Sequence, residues 1–140
     1  MTHKRINYAT GVAWEPLRGY SRAVCVDNVL YISGTTAIGE DGEVVGPGDA
    51  YEQTSYVLRV VRKILRAAGY TLDDVVRTRL FVTDMSQWKK YARAHREMFE
   101  NIRPASSIVE VSRLMDPRLV LEMEVEAVRG CGAPETRKVE

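Results

Sequence analysis

The sequence predicts an α+β domain, a mixed β-sheet with two helices packed on one face. Three observations predict it. Hydrophobic periods of 2 and 3.6 succeed one another as strand–strand–helix–strand–helix–strand–strand, which is not the alternation of a doubly wound parallel sheet. The longer helical segment carries a single apolar stripe and needs a sheet or partner helix to bury it. The last strand alternates Leu121, Met123, Val125 and Ala127 with Glu122, Glu124 and Glu126, so one sheet face packs under helices while the other is left uncovered. At 140 residues the chain suits one domain, long enough to bury about two thirds of its unfolded surface.

The first eighteen residues lack periodicity and are read as a short strand and loop around Val12 to Trp14. Ala23 to Ile32 is strand-like on both sides of Asp27-Asn28, a polar pair suited to a hairpin turn. Ser33-Gly34-Thr35-Thr36 ends the second strand, and Val44-Val45 reads as a short strand before Gly46-Pro47-Gly48. Asp49 to Ala68 is the clearest helix. Asp49 can cap it, Glu52 completes a capping-box pattern, and Gly69 stops it. Val57, Leu58, Val61, Ile64, Leu65 and Ala68 form its stripe over roughly 30 Å.

Leu72 to Val75 is a short helical turn or loop. Val76 to Val82 reads as a strand with Val76, Thr78, Leu80 and Val82 on one face and Arg77, Arg79 and Phe81 on the other. A second helix starts near Asp84, with Trp88, Tyr91, Ala92, His95, Met98 and Phe99 at helical spacing. Pro104 closes the connection after it. The final strands are Ser107 to Leu114 and Leu119 to Val128, joined by an Asp116-Pro117 turn. Residues 1–129 are read as one domain, and residues 130–140 as a flexible tail.

Composition excludes several function classes. Twenty Lys and Arg against nineteen Asp and Glu leave a net charge of +1, without the basic excess that a nucleic-acid partner requires. The longest apolar run, Val57 to Ala68, is interrupted by Arg59, Arg62, Lys63 and Arg66, so no membrane span is expected. The N-terminal MTHKRINYATG lacks the apolar stretch of a signal peptide, and two distant cysteines mark no oxidising compartment; a cytoplasmic setting is expected. Cys25 sits in an apolar run and reads as a core residue, whereas Cys131 lies in the polar end. No phosphate loop, metal-ligand spacing or Ser-His-Asp set is present, so no cofactor or metal is expected.

A small set of residues is left to carry chemistry. Tyr20 sits in a turn before the first strong strand. Ser33 and Gly34 stand at a strand end whose backbone N–H groups could bind an anion. Glu122 is a carboxylate on the uncovered face, and the Pro104-Ala105-Ser106-Ser107 segment offers hydroxyl and backbone donors. Taken singly, each also has a plain structural role as aromatic cover, turn, solvated carboxylate or strand start.

The stretches GYSRAVCVDNVLYISGT, YEQTSYVLRVVRKILRAAGYTLDDVVRTRLFVTD and RPASSIVEVSRLMDPRLVLEMEVEAV follow in an order that resembles the YjgF/Rid family. Its best-known members are reactive-intermediate deaminases that hydrolyse imines and enamines. The resemblance implies a chorismate-mutase-like fold and a homotrimer, with sheets forming a central barrel and small-molecule clefts between subunits. It implies Glu122 as the catalytic carboxylate that positions water, with Tyr20, Ser33, Gly34, Ser106 and Ser107 binding substrate. The pattern departs from the deaminase group at one informative point. Where those members carry an Arg that pairs with the substrate carboxylate, this chain has Ser106, and an Asn of the second helix corresponds to Ala92. A guanidinium offers two parallel charge-assisted hydrogen bonds and a hydroxyl only one neutral bond. The resemblance therefore implies either a different substrate or another cation in that role, with Arg22, Arg79, Arg103 and Arg113 as candidates. Imine hydrolysis, metabolite binding without turnover, and ribonuclease or translation-inhibitor activity stand as the three functions to separate.

Overall fold

In the computed structural model, which describes residues 2–139, six strands form one mixed sheet in the order β1-β2-β3-β6-β4-β5. The strands are β1 (Arg5–Tyr8), β2 (Ala23–Val26), β3 (Val29–Thr36), β4 (Val75–Val82), β5 (Ala105–Glu110) and β6 (Leu121–Val128). The helices are α1 (Trp14–Arg18), α2 (Ala50–Ala67) and α3 (Trp88–Phe99), and α2 and α3 pack together over one sheet face. All neighbouring strands are antiparallel except β4 and β5, whose parallel pairing needs the crossover that α3 supplies.

Local chemistry accounts for most of these elements. Asp27 takes φ 54° in the β2–β3 turn, which a two-residue hairpin requires and Asp tolerates. Its carboxylate accepts Lys4 N–H at 3.0 Å and pairs with His3, holding the start of β1 against the hairpin. Asp49 caps α2 by accepting Glu52 N–H at 2.9 Å, and Gly69 at φ 80° ends it. Val57, Leu58, Val61 and Leu65 are buried under that helix with Leu30 and Ile32 of β3 and with alternate residues of β6. On β6, Leu121, Met123, Val125 and Ala127 are buried, while Glu122, Glu124 and Glu126 lie on the opposite face. Each fully buried aliphatic side chain of this core contributes roughly 1.5–3 kcal/mol.

Several expectations are corrected. The chain before Ala23 forms β1 and α1 rather than a strand at Val12 to Trp14; Trp14 opens a helix. Val44 makes only an isolated bridge to Ile38, so Val44-Val45 is not a strand. The last two strands are shorter than read and are not neighbours: β5 pairs with β4, and β6 lies between β3 and β4. Val111 to Leu114, Arg113 included, therefore leave the sheet. Val76 sits at a register shift between Val75 and Arg77 and is exposed, so Val75 takes its place in the core. On α3, Trp88 and Ala92 are exposed, and Ala94 is buried instead. Cys25 is buried and Cys131 exposed, both free thiols. No helix among the described residues is long and apolar enough to cross a membrane.

Candidate functional site

The site begins with a fault in the ladder between β3 and β6. Ile32 pairs with Val125 and Thr35 with Met123, so Ser33 and Gly34 together oppose the one residue between, Glu124. Such a bulge re-aims side chains and opens room beside the strand. Gly34 uses that room: a Cβ there would lie 2.7 Å from Glu122 Oε2 and 2.9 Å from its Cδ. The absence of a side chain at Gly34 is what lets the carboxylate lie against β3. Ser33 is held in place by its own bonds. Its hydroxyl donates to Ser21 C=O at 2.6 Å and its N–H to Arg22 C=O at 3.0 Å. The expected free N–H at Ser33 is thus already used in the fold.

Tyr20 reaches the same place from the other side. Helix α1 ends at Gly19, whose φ of 71° lets Tyr20 N–H bond back to Glu15 C=O at 2.9 Å. Glu15 is itself buried, accepting Thr10 N–H and hydroxyl at 3.1 and 2.5 Å, which fixes the start of this segment. The guanidinium of Arg18 stands 4.5 Å from the Tyr20 ring centroid and that of Arg22 5.7 Å away, within cation–π reach.

These elements enclose an open cleft of about 460 Å³ that Tyr20, Ser33, Gly34 and Glu122 line together with Arg18 and Arg113. Phe81, Val111 and Leu114 supply its apolar wall. Removal from water raises the Glu122 carboxyl above its ordinary 4.5; Arg18 and Arg22 pull it back in part, and Glu124 pushes it further up. A carboxyl so placed is suited to gaining and losing a proton during a reaction.

Ser106 and Ser107 are elsewhere. Ser106 lies opposite Thr78 and accepts its hydroxyl at 2.8 Å; Thr78 Oγ1 is also 2.8 Å from His95 Nε2. That chain of three runs toward the helices, and burial holds the His95 imidazole below its ordinary 6.5, hence neutral near pH 7. Ser107 lies opposite Arg79 on exposed β5. Within one chain neither serine lines the Glu122 cleft. Of the cations considered from sequence, Arg79 is tied to Glu126 at 2.9 Å and Arg103 donates to Glu100 C=O, while Arg22 donates to Gly34 C=O. Only Arg113 lines the cleft. Arg18 was missed because α1 was not foreseen; its signal is a basic residue in the last turn before a helix-ending glycine. Among the described residues no three His, Cys, Asp or Glu side chains gather into a metal site.

Comparison with known proteins places this arrangement. The family model described as Endoribonuclease L-PSP matches residues 10–129. A RutC family protein of Pyrococcus horikoshii is 40% identical over 115 residues, covering 81% of this chain and 88% of the relative. An uncharacterized protein of Streptomyces coelicolor is 33% identical over 121 residues, covering 86% and 90%. Among solved structures, a Mycobacterium tuberculosis member of the YjgF/YER057c/UK114 family superposes with a TM-score of 0.81 at 39% identity, covering 89% of this chain and 99% of that one. A conserved Rid family protein of Yersinia pestis gives 0.78 at 31% identity, covering 89% and 99%. Matching sequence over most of the chain, with the same mixed sheet and its helices on one face, establishes that the chain belongs to the YjgF/Rid family.

Proposed function

We propose that this protein hydrolyses an imine or enamine other than the usual 2-imino acids, acting as a cytoplasmic homotrimer with its clefts between subunits. One observation carries the reading: a half-buried carboxyl, Glu122, set beside a side-chain-free strand segment with its proton affinity raised by burial. In the reaction Glu122 takes a proton from water as the oxygen attacks the C=N carbon of the protonated imine, and the π electrons pass to nitrogen to leave a neutral amine. The protonated carboxyl then gives its proton to the amine as the C–N bond breaks. The carbinolamine hydroxyl loses its proton to Glu122, which passes it to the departing ammonia, leaving a carbonyl compound, ammonium and the free carboxylate. Tyr20, braced by Arg18, covers the cleft, and the β3 bulge sets the approach of the ligand. The trimer is supported by an uncovered sheet face on which Tyr31 and Val109 remain exposed.

The test measures decay of imines generated in situ, from amino acids by an amino-acid oxidase and from uncharged amines by an amine oxidase, with semicarbazide as competitor. Wild type is expected to accelerate loss of at least one imine, and Glu122→Gln to lose that acceleration. Equal decay with and without protein across both sets would overturn the reading. Metabolite binding without turnover is the second reading, favoured by Ser106 standing where deaminases carry Arg. Ribonuclease activity, the sense of the name Endoribonuclease L-PSP, is opposed by the net charge of +1 and by a His95 that faces Thr78 outside the cleft.

A further inference from the structure

Away from the cleft, three side chains join a half-buried imidazole to the surface. Thr78 of β4 is wholly buried, and its hydroxyl needs one partner there. His95 Nε2, 2.8 Å from Thr78 Oγ1, is enough to satisfy it. A second contact of 2.8 Å nevertheless carries the chain on to the hydroxyl of Ser106, on a strand whose six residues are all exposed. The His95 ring is fixed by packing on Phe99, with 4.8 Å between centroids. Burial keeps the imidazole neutral near pH 7, so in its Nδ1–H tautomer Nε2 is an acceptor. Hydroxyl protons rotate to suit their partners. With Nε2 accepting, Thr78 donates to His95 and Ser106 donates to Thr78. Ser106 then meets solvent as a serine oxygen whose proton is already directed toward a base.

The backbone beside Ser106 adds a donor. Strand β5 ends the sheet and pairs only with β4. Val111 N–H donates to Val82 C=O, so the alternation of the parallel ladder turns the N–H groups of Ser106 and Ile108 to the open edge. Ser106 therefore carries next to its own Oγ a backbone N–H that can meet a developing oxyanion. Ile108, on the same face two residues on, is 39% exposed and offers contact to a short acyl chain. We propose that Ser106 is a nucleophile for acyl transfer from small uncharged esters, with Thr78 and His95 as the relay that receives its proton. The substrate class follows from three neutral groups beside an apolar one. In the first step Ser106 Oγ bonds to the ester carbonyl carbon and the π electrons pass to the carbonyl oxygen. The Ser106 proton moves to Thr78 Oγ1 as the Thr78 proton moves to His95 Nε2. When the electrons return, the bond to the alcohol oxygen breaks; that oxygen takes a proton from Thr78, which regains one from His95. Water then frees the acyl group as an acid by the same transfers. Ser106 is the catalytic residue of this site, and Thr78 and His95 are positioning residues. The site is separate from the Glu122 cleft and does not depend on the imine reading.

A fluorophosphonate tests it on the full chain, because an activated serine forms a P–O bond as the P–F bond breaks and fluoride leaves. The adduct is located by peptide mass, and the oligomeric state of every variant is measured alongside. Release of 4-nitrophenolate from 4-nitrophenyl butyrate gives a second readout. Ser106 is expected to carry the adduct, and Ser106→Ala should lose both the adduct and the rapid phase of ester cleavage. Thr78→Val and His95→Gln should each slow labelling of Ser106 by about 100-fold or more, the lower end of general-base catalysis. That loss should fall on the rate at saturating probe rather than on the half-saturating concentration. Thr78→Ser, which keeps the bridging hydroxyl, should restore most of the rate, as a merely structural role for the threonine would not require. Three results would overturn the proposal: no adduct on Ser106, a labelling rate unchanged in both Thr78→Val and His95→Gln, or Thr78→Ser as slow as Thr78→Val.

Discussion

Gln53 lies wholly buried on α2, and its amide joins three backbone groups that helix and strands leave unpaired. Its Oε1 accepts Val120 N–H at 2.9 Å, and its Nε2 donates to Gly46 C=O at 3.0 Å and Arg118 C=O at 2.9 Å. Gln53→Leu keeps the volume and removes all three bonds. The losses are unequal. Gly46 C=O still accepts Asp49 N–H at 2.8 Å and Arg118 C=O still accepts Gly48 N–H at 3.0 Å, whereas Val120 N–H is left with no replacement. An orphaned buried N–H costs about 1–3 kcal/mol and each lost bond at a still-paired carbonyl about 0.5–1. Leucine returns part of this through apolar burial, so the net loss is about 2–4 kcal/mol, or roughly 10 °C in Tm for a domain of this size. Urea unfolding checks it: the midpoint should fall with an unchanged slope, and the Val120 amide should exchange faster than its neighbours. Because Val120 immediately precedes β6, turnover should fall as well. A stability loss below about 1 kcal/mol, with Val120 still protected, would refute the assignment of this amide as the tie between α2 and the loop before β6.

Gly34→Ala should push the Glu122 carboxylate out of its present position, since the new methyl would meet Oε2 at 2.7 Å, yet stability should change by less than about 1 kcal/mol because the obstructing group is the end of a flexible side chain. Activity lost in a normally stable variant is the expected outcome, read by urea unfolding beside the imine assay; full activity would show that Glu122 need not lie against β3. Glu122 also sets a sign for stability against pH. Its folded carboxyl is raised above 4.5, so the folded state holds the proton longer, and stability falls as pH climbs from 4.5 through the raised value. Glu122→Gln should remove that slope and be more stable than wild type at pH 7, as measured by urea midpoints from pH 4 to 8. His95 acts in the opposite sense: held below 6.5 by burial, it should cost stability as pH drops beneath that value, and His95→Gln should flatten that limb.

The parts of this fold that were legible are those whose residues announce a face. The stripe of α2, its Asp49 cap and the alternation of β6 each follow from side-chain periodicity, and each is where it was expected. Strand β1 was not legible because its residues, Arg5 to Tyr8, form an edge strand with three of four positions exposed and so carry no alternation. Helix α1 has five residues and a proline at its third position, too short for a stripe. Strand order was beyond sequence as well. Nothing in Leu121 to Val128 says that it inserts between β3 and β4, although that insertion brings Glu122 to Gly34 and Tyr20. Tyr20, Ser33 and Gly34 were singled out as turn and strand-end residues and Glu122 by resemblance to the YjgF/Rid pattern, and the fold brings these four to one cleft. The direction of Ser106, toward Thr78 and His95, depends on parallel pairing with β4, which only the three-dimensional register reveals.

Strand β6 shows where structural duty ends and chemistry begins. Its three glutamates share one face and one alternation, so packing alone would treat them alike. Glu126 is met by Arg77 and Arg79 across the sheet and is satisfied as a structural charge. Glu122, four residues earlier, loses water to its surroundings, gains no ion pair, and lies against a glycine that any other residue would displace. Arg18 and Arg113 line the same cleft and the charge of Arg22 reaches it, yet among the described residues none forms an ion pair with it. A fold selected for stability alone would favour that pairing or a neutral residue, because a half-buried unpaired carboxyl lowers stability at neutral pH. Retaining the charge, the bulge and the unpaired guanidiniums together has a stability cost and yields an arrangement of separated acid and base groups around open space. Such a concentration of local costs is where function is expected on an otherwise self-consistent fold.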